Sequence, residues 1–309
     1  MLTLANLGPD EVRARLRGPG LRLQTGPFVT CVRSPLAPLA DALRAMYADY
    51  PVLDEGSLAD FHVRLSGSRG LRRLLRPQVH FHYDGMAPFQ PLPLNQAFPM
   101  FEWAMNWCVS SQANSWLVIH AAVIEKGGVA AILPAPPGSG KSTLCAALVN
   151  RGWRLLSDEL TLVRLDDGRI DPLPRPVSLK NASIGIIRDY APAAAFTRPV
   201  ADTVKGTVAH MRASRDSVAR AAEAATPAWI VFPKWQGGAP AALTPVPQAR
   251  AHMRLAENAF NYSLLGEAGF HTVARLVDGV RTFDFSYGVL DDAIAVFERL
   301  LGARTGEGA

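Results

Sequence analysis

Residues 135–143 (APPGSGKST) have the residue types and the spacing that bind a polyphosphate. The two glycines of this run let the backbone approach phosphate oxygens closely, so that the N–H groups of residues 138–142 surround the β-phosphate. Lys141 then reaches the β- and γ-phosphates, and the Ser142 hydroxyl holds Mg²⁺. We therefore predict that a nucleoside triphosphate is bound by Pro137, Gly138, Ser139, Gly140, Lys141, Ser142 and Thr143.

The neighbouring residues supply the strand and the helix that such a loop requires. Residues 129–133 (VAAIL) form a short apolar run typical of a buried strand, and residues 142–150 (STLCAALVN) space their apolar side chains at helical intervals. Arg151 and Gly152 then predict the end of this helix. Ala135 replaces the first glycine of the usual G-x-x-x-x-G-K-[ST] pattern, but a residue before proline adopts extended backbone, which alanine accepts readily.

A pair of carboxylates, Asp158 and Glu159, follows the next apolar run. One helix and one returning strand would bring a carboxylate back beside the Mg²⁺, for which the predicted ligands are Ser142, Asp158 and Glu159. Because adjacent strand residues point to opposite sides, we expect one of the pair to face the phosphates, unless the strand ends at Ser157. We choose Asp158, as a metal partner or as the base for an attacking hydroxyl, over a merely turn-forming Asp-Glu pair.

The composition is that of an ordinary globular protein and excludes wholesale disorder. Of the 309 residues, 49% are hydrophobic and 19% are charged. Cys31, Cys108 and Cys145 stand far apart, which fits a reducing cytoplasm and indicates neither a disulfide framework nor a cysteine-based zinc site. Neither a signal-peptide pattern nor an apolar run of membrane-spanning length is visible, so we predict a soluble, cytoplasmic protein without a membrane partner.

The net charge of +5 is partly concentrated in residues 64–76 (RLSGSRGLRRLLR), which contain no acid. We interpret this stretch as a solvated basic face, with an acidic protein or peptide partner as the alternative. Nucleic acid is less favoured, because no nucleic-acid-binding module accompanies the stretch. His80, His82 and Asp84 alternate within VHFHYD, and we interpret them as a solvated strand face rather than as a zinc site.

The chain divides at a proline-rich boundary, residues 88–93 (PFQPLP). We predict a small α+β domain in residues 1–95, the loop-containing domain in residues 96–303 and a disordered tail in residues 304–309. Within the second domain, residues 117–124 and 129–133 flank a Glu-Lys-Gly-Gly turn, which predicts a β-hairpin that leads directly into the loop. Beyond the loop we predict strands at 153–156, 160–165, 229–232 and 282–285, and helices at 248–265, 270–277 and 291–301.

The hairpin with His120, the run APPGSGKST and the run RGWRLLSDELTLV together resemble the catalytic domain of HPr kinase/phosphorylase and its relatives, which include peptide-modifying serine kinases. Three further stretches, PLPRPVSLKNASIG, KGTVAHM and WIVFPKW, resemble the subgroup called HPr-kinase-related kinase A. The segment by which the bifunctional members recognise HPr has no evident counterpart here.

The resemblance implies an α/β fold with a P-loop kinase domain of the HPr kinase and phosphoenolpyruvate-carboxykinase-like type, beside a small N-terminal α+β domain. It implies a kinase that uses ATP and Mg²⁺ to transfer the γ-phosphoryl group to a hydroxyl, a serine of a small protein or peptide. Carried onto this sequence, it implies that Asp158 is the base acting on that hydroxyl and that His120 lies near the transferring phosphoryl group, beside Lys141. Taken alone, His120 within LVIHAAVI is more typical of a satisfied core histidine.

Phosphoryl transfer is catalysed chiefly by positioning and by neutralising charge, so cations besides Lys141 are expected. We predict a phosphate clamp from Arg175, Lys180 and Lys205, with plain surface charge as the alternative for each. The alternative function is a nucleotide-binding regulator or an NTPase without a phosphoryl acceptor. The acceptor, the choice between ATP and GTP, and the oligomeric state stay open, a homo-oligomer included.

Overall fold

The computed structural model of the chain describes residues 2–68 and 70–306, which form the mixed α/β fold that the sequence predicts. The strands in this part of the chain are β1 (Leu21–Thr25), β2 (Phe28–Arg33), β3 (Val52–Leu53), β4 (Phe61–Gly67), β5 (Gln78–Tyr83), β6 (Leu92–Pro93), β7 (Trp116–Lys126), β8 (Val129–Pro134), β9 (Arg154–Ser157), β10 (Leu160–Arg164), β11 (Ile170–Asp171), β12 (Val177–Lys180), β13 (Val200–Thr203), β14 (Gly206–Met211), β15 (Thr226–Trp235), β16 (Ala242–Pro245) and β17 (Arg281–Tyr287). The α-helices are α1 (Pro9–Arg17), α2 (Ala37–Met46), α3 (Arg72–Leu75), α4 (Ala97–Gln112), α5 (Lys141–Val149), α6 (Ala182–Tyr190), α7 (Arg215–Ala219), α8 (Gln248–Asn258), α9 (Tyr262–Leu265), α10 (Glu267–Asp278) and α11 (Leu290–Gly306).

The first sheet is built from residues before or within the proline-rich boundary, in the order β3-β1-β2-β4-β5-β6. Its strands alternate between buried and more exposed residues, so one face of the sheet packs on the core and the other faces outward. The β1–β2 hairpin turns at Gly26, whose φ is +55°. A Cβ there would lie 2.2 Å from the carbonyl oxygen of Pro172, so only glycine fits this approach to the second half of the chain.

The second sheet has the order β11-β10-β7-β8-β15-β17-β16, and β9 also pairs with β7. The predicted hairpin is confirmed, because β7 and β8 pair in antiparallel register on either side of the Gly127-Gly128 turn. Successive residues of β7 enter different cores: Ala122 packs with residues of α5 and α11, whereas Val123 packs with residues of α8 and α10. Helices therefore cover both faces of this sheet, which explains why its central strands are apolar throughout.

A third, small sheet of order β12-β14-β13 lies in a region to which the sequence analysis assigns no strand. β12 and β14 are antiparallel, with Leu179 opposite Ala209. Helix α6 follows β12 directly and is also absent from the sequence-based assignment. This sheet matters for the site because Ser178 and Lys180, in its first strand, lie next to the predicted loop.

Two of the predicted helices end several residues away from the expected position. The helix expected at 248–265 stops at Asn258, because the chain there turns to pair with β7: the N–H of Phe260 donates to Val118 O, and the Asn261 side chain bonds the Val118 N–H and the Trp116 carbonyl. The last helix continues to Gly306, so the first residues of the predicted tail are helical, while residues 307–309 lie outside the described part. None of the helices in residues 2–68 and 70–306 combines the length and the apolar character needed to cross a membrane.

Candidate functional site

Three parallel strands end at the same edge of the second sheet. β8, β15 and β17 run in parallel and are consecutive neighbours. Their last residues are Pro134, Trp235 and Tyr287, and residues 135–140, here called the glycine loop, leave β8 at this edge. In open α/β sheets, ligands bind in the crevice beyond the carboxyl ends of the strands. The fold therefore presents the glycine loop where a ligand is expected.

The glycine loop is held by the ends of the two neighbouring strands. The Trp235 N–H donates to Ser139 O at 2.8 Å, and the Tyr287 hydroxyl donates to Gly140 O at 3.0 Å. Gly138 and Gly140 have φ values of +86° and +87°, a region that favours glycine. A Cβ on Gly140 would lie 2.5 Å from the Tyr287 hydroxyl oxygen and 2.8 Å from Trp235 Cβ. Both the conformation and the space at position 140 therefore require glycine.

Helix α5 begins directly after this loop, and its first residue is Lys141. The first N–H groups of an α-helix have no intrahelical acceptor, and the helix dipole makes this end attractive to anions. Lys141 is only 7% exposed, and its Nζ atom has no hydrogen-bond partner within the described residues. Buried charges are normally paired, so a bound anion would satisfy both the ammonium and the helix end.

Asp158 lies beside the start of α5. Its Oδ2 atom accepts from the Ser178 N–H at 3.1 Å, while its Oδ1 atom has no partner among the described residues. Burial, and then repulsion by Glu159, raise the pKa of Asp158 to about 6, although the Lys141 charge, the nearby Ser142 side chain and the Ser178 N–H oppose the shift. The pKa of Asp158 is therefore close to the value that suits a proton-transfer group near neutral pH.

Glu159 lies in the same site through a different partner. β9 ends at Ser157 and β10 begins at Leu160, so the two carboxylates sit in a bend and are not forced to opposite faces. The His120 Nε2 atom lies 3.1 Å from Glu159 Oε2. Burial acts to raise the pKa of Glu159, but the His120 hydrogen bond and the charges of Lys141 and Lys180 outweigh it, so the net shift is downward. Glu159 is therefore held ionised.

The loop, Lys141 and Glu159 line one cavity of about 420 Å³. All the residues predicted to bind a nucleotide, 137–143, line it, together with His120 and Lys180. This volume falls in the range of about 300–1,000 Å³ that is usual for small-molecule sites. Asp158 lines a smaller cavity of about 20 Å³ next to it, shared with Ser178, Arg175 and His210.

Comparison with known proteins adds little to this geometry. No protein-family model matches the sequence, and neither does any curated protein. Among the solved structures that match is the Hpr(Ser) kinase/phosphatase from Coxiella burnetii, at 10% sequence identity, with 62% of this chain and 99% of that chain covered and a TM-score of 0.30. At this TM-score, the likeness assigns neither a fold family nor an activity to the chain.

The three cations of the predicted clamp occupy different positions. Lys180 lines the cavity. Lys205 lies close enough to Lys180 for that charge, after burial, to lower the pKa of Lys205. Arg175 does not reach the glycine loop: its guanidinium donates to Glu102 Oε2 at 2.6 Å and to Asn106 Oδ1 at 2.7 Å. The prediction of a phosphate clamp at Arg175 is therefore not supported, because a buried ion pair with α4 occupies its donors.

Trp235 and Tyr287 are among the site residues that the sequence does not predict. Both line the cavity, and they are register partners at the ends of β15 and β17. An aromatic residue at the end of an apolar run was visible in WIVFPKW, but the parallel neighbourhood of β8, β15 and β17 is not encoded in any local pattern. Without that order, the sequence did not indicate that either residue reaches the loop.

The oxygen atoms around Lys141 fit Mg²⁺. Ser142 supplies a hydroxyl, and Asp158 and Glu159 supply carboxylates, one of which has an unpartnered buried oxygen. No group of three or more histidine, cysteine or acidic side chains suited to a metal occurs in residues 2–68 and 70–306. A hydroxyl with two carboxylates nevertheless suits Mg²⁺, which proteins usually hold through one or two carboxylates together with substrate phosphates and waters.

Proposed function

We propose that this chain is a kinase that uses ATP and Mg²⁺ to phosphorylate a hydroxyl, the serine of a small protein or peptide. One observation carries the proposal: a buried ammonium, Lys141, has no hydrogen-bond partner in the described residues and sits between the glycine loop and two carboxylates. On the side of the glycine loop, no negatively charged group pairs with the Lys141 ammonium in the described residues. A polyphosphate supplies that charge, and Asp158 then stands ready for the acceptor.

The proposed chemistry is an in-line transfer. The acceptor hydroxyl oxygen bonds the γ-phosphorus, the bond from that phosphorus to the β–γ bridging oxygen breaks, and the hydroxyl proton passes to Asp158. Lys141 and the N–H groups of the glycine loop neutralise charge on the phosphate oxygens. When bound, Mg²⁺ would be held by Ser142 with the neighbouring carboxylates and would neutralise charge on the β- and γ-phosphates.

The acceptor is assigned to a small protein or peptide on the basis of the family resemblance and of the N-terminal part of the chain. The connection between β4 and β5 carries three leucines, Leu71, Leu74 and Leu75, that are each strongly exposed. They stand in the basic stretch of residues 64–76. An acceptor with acidic and apolar side chains suits such a surface.

The test is to incubate the purified chain with Mg²⁺ and γ-labelled ATP, with and without cell extract. A kinase transfers label to a protein or peptide, an NTPase releases only free phosphate, and a nucleotide-binding regulator retains ATP without turnover. Lys141→Ala should abolish whichever nucleotide-dependent signal is seen. If calorimetry on the folded wild-type protein detects no binding of any purine nucleoside triphosphate with Mg²⁺, the proposal is wrong.

A further inference from the structure

One large side chain of the cavity has no part in the chemistry described so far. Trp235 ends a buried strand, yet it is 53% exposed. It lines the cavity beside the glycine loop. Tryptophan commonly stands at binding surfaces because it offers a large, rigid contact area with one apolar and one polar end.

The position of Trp235 is defined by hydrogen bonds at both ends of the residue. Its N–H donates to Ser139 O at 2.8 Å, and its indole Nε1–H donates to Gly288 O at 3.3 Å. Its Cβ lies next to Gly140, where an added methyl group would come within 2.8 Å. The ring is thus fixed beside the loop before any ligand arrives, which reduces the entropy lost on binding.

The cavity combines charged and apolar walls. Lys141, Glu159 and Lys180 supply charge around the loop, whereas Ile186, on α6, is an apolar residue that remains 45% exposed within the same cavity. Trp235 and Ile186 are the large apolar residues of this cavity that stay strongly exposed in the described part of the chain. A nucleotide has the matching division into a charged tail and a flat base whose π-faces suit apolar and aromatic contacts.

We infer that Trp235 is the platform on which the nucleobase stacks while the glycine loop holds the phosphates, with Ile186 adding apolar contact. This inference rests on the proposed function, since it requires a nucleotide in the cavity. Stacking on an aromatic ring tolerates every base, because each base has a π-face. The site therefore recognises a nucleoside triphosphate by its ring and its phosphates, with ATP and GTP stacking alike.

The test separates the base from the phosphate tail by measuring two ligands, Mg-ATP and magnesium tripolyphosphate, by calorimetry. Trp235→Ala should weaken ATP binding by roughly 5- to 150-fold, the range for loss of one base–aromatic stack. Tripolyphosphate binding should stay within about twofold, because the bond to Ser139 uses the main chain and survives the substitution. Trp235→Phe keeps a stacking face and should retain most of the ATP affinity.

A matched control is Phe270→Ala. Phe270 is another exposed aromatic residue, 51% exposed, and lies on α10 between His252 and His271. Its replacement should leave both affinities unchanged. A loss of GTP affinity equal to the loss of ATP affinity in Trp235→Ala supports stacking, whereas a loss confined to ATP would overturn it in favour of recognition of the base edge.

The outcomes distinguish this inference from the proposed function. If the wild-type protein binds neither ATP nor tripolyphosphate, the proposed function fails. If the wild-type protein binds both, and Trp235→Ala binds ATP as tightly as the wild type, the stacking assignment is wrong while the proposed function stands. Equal losses for ATP and tripolyphosphate would also overturn it, because Trp235 would then act by supporting the loop.

Discussion

The Nε2 atom of His120 lies 3.1 Å from the Oε2 atom of Glu159, so a histidine in the strand before the glycine loop contacts the second carboxylate of the Asp158-Glu159 pair. His120 also stands opposite Leu160 in the β7–β10 register, which brings the residue after the bend next to it. The sequence analysis expected His120 near the transferring phosphoryl group. In the structure His120 lines the cavity and contacts Glu159, and its nearness to a phosphoryl group stays a prediction.

The first prediction concerns this pair. His120→Ala should raise the Mg²⁺ concentration needed for half-maximal ATP turnover by roughly 10- to 100-fold, the usual loss of metal affinity when a partner that orients a metal ligand is removed. The measurement is turnover of labelled ATP as a function of Mg²⁺ concentration. A matched control is His271→Ala, since His271 forms a similar pair with Glu267 at 3.3 Å but on the exposed surface of α10. Equal behaviour of the two variants would contradict the assignment.

The second prediction separates backbone conformation from space in the glycine loop. Gly138 and Gly140 have nearly the same positive φ, but an added Cβ meets nothing within 4 Å at Gly138 and two close neighbours at Gly140. Gly138→Ala should lower the free energy of unfolding by about 1–2 kcal/mol through strain alone. Gly140→Ala adds a clash with Tyr287 and Trp235, so it should destabilise more and also weaken ATP binding. Denaturant unfolding and calorimetry check both variants, and equal losses would show that the loop relaxes freely.

The glycine loop could be predicted from sequence because its signals are local. Its signals are contiguous in the sequence: an apolar strand, the glycines, Lys141 and the following helix. The Gly-Gly turn before β8 also predicts the hairpin. Asp158 is predicted from local signals as well, because only one helix and one strand separate it from the glycine loop. The order of parallel strands is not local, so Trp235 and Tyr287 were missed.

Other features were missed because they depend on tertiary contacts. α6 carries isoleucines and a glycine, which have modest or poor helix propensity, so its sequence gave no strong helical signal. α6 packs against α5 and β12, and the spacing of apolar residues along the sequence does not indicate these contacts. The sequence predicts Arg175 as part of the phosphate clamp because its ion-pair partner, Glu102, is far away in sequence and no local pattern indicates the pair.

The third prediction tests the roles of two cations. Arg175→Met leaves the buried Glu102 carboxylate without its ion pair, so it should lower the free energy of unfolding by about 3–5 kcal/mol. Its effect on ATP affinity should be small, because Arg175 does not line the loop cavity. Lys180→Met should do the reverse, with roughly tenfold weaker ATP binding and little change in stability. Weaker ATP binding by a fully folded Arg175→Met protein would restore the clamp assignment.

The fourth prediction concerns the pH dependence of stability. Burial, opposed in part by Glu102, lowers the pKa of His210 from 6.5 to about 4, with the charge of Arg175 acting in the same direction as burial. The unfolded chain therefore binds a proton between pH 6.5 and about 4 that the folded chain does not. Stability should fall as the pH falls through this window, by up to about 3 kcal/mol from this group.

His210→Gln removes this titration and should flatten the slope of unfolding free energy against pH between about 6.5 and 4. The comparison uses denaturant unfolding at several pH values within the window. His210→Asn serves as a second neutral variant, in case the glutamine fits the buried site poorly. A slope in both folded variants as steep as in the wild type would show that His210 does not carry the effect.

The last prediction concerns Asp158 as the base. Asp158→Asn keeps the size of the side chain and an oxygen that can accept from the Ser178 N–H, but it removes the carboxylate that takes the acceptor proton. Loss of a positioned base typically lowers a rate by roughly 10²- to 10⁴-fold, so transfer of label from ATP should fall by that factor. ATP affinity should change only a few-fold, because the glycine loop and Lys141 are retained.

Asp284→Asn is the matched control for that substitution. Asp284 forms an ion pair with Arg254 at 2.6 Å and is half-exposed, so the same chemical change there should leave transfer intact. Binding by calorimetry and transfer of label, measured on the same preparations, keep loss of affinity apart from loss of chemistry. An Asp158→Asn protein that transfers label at the wild-type rate would remove Asp158 from the mechanism. The neighbouring carboxylate, Glu159, would then be the next base to test, since its contact with His120 holds it in the cavity of the glycine loop.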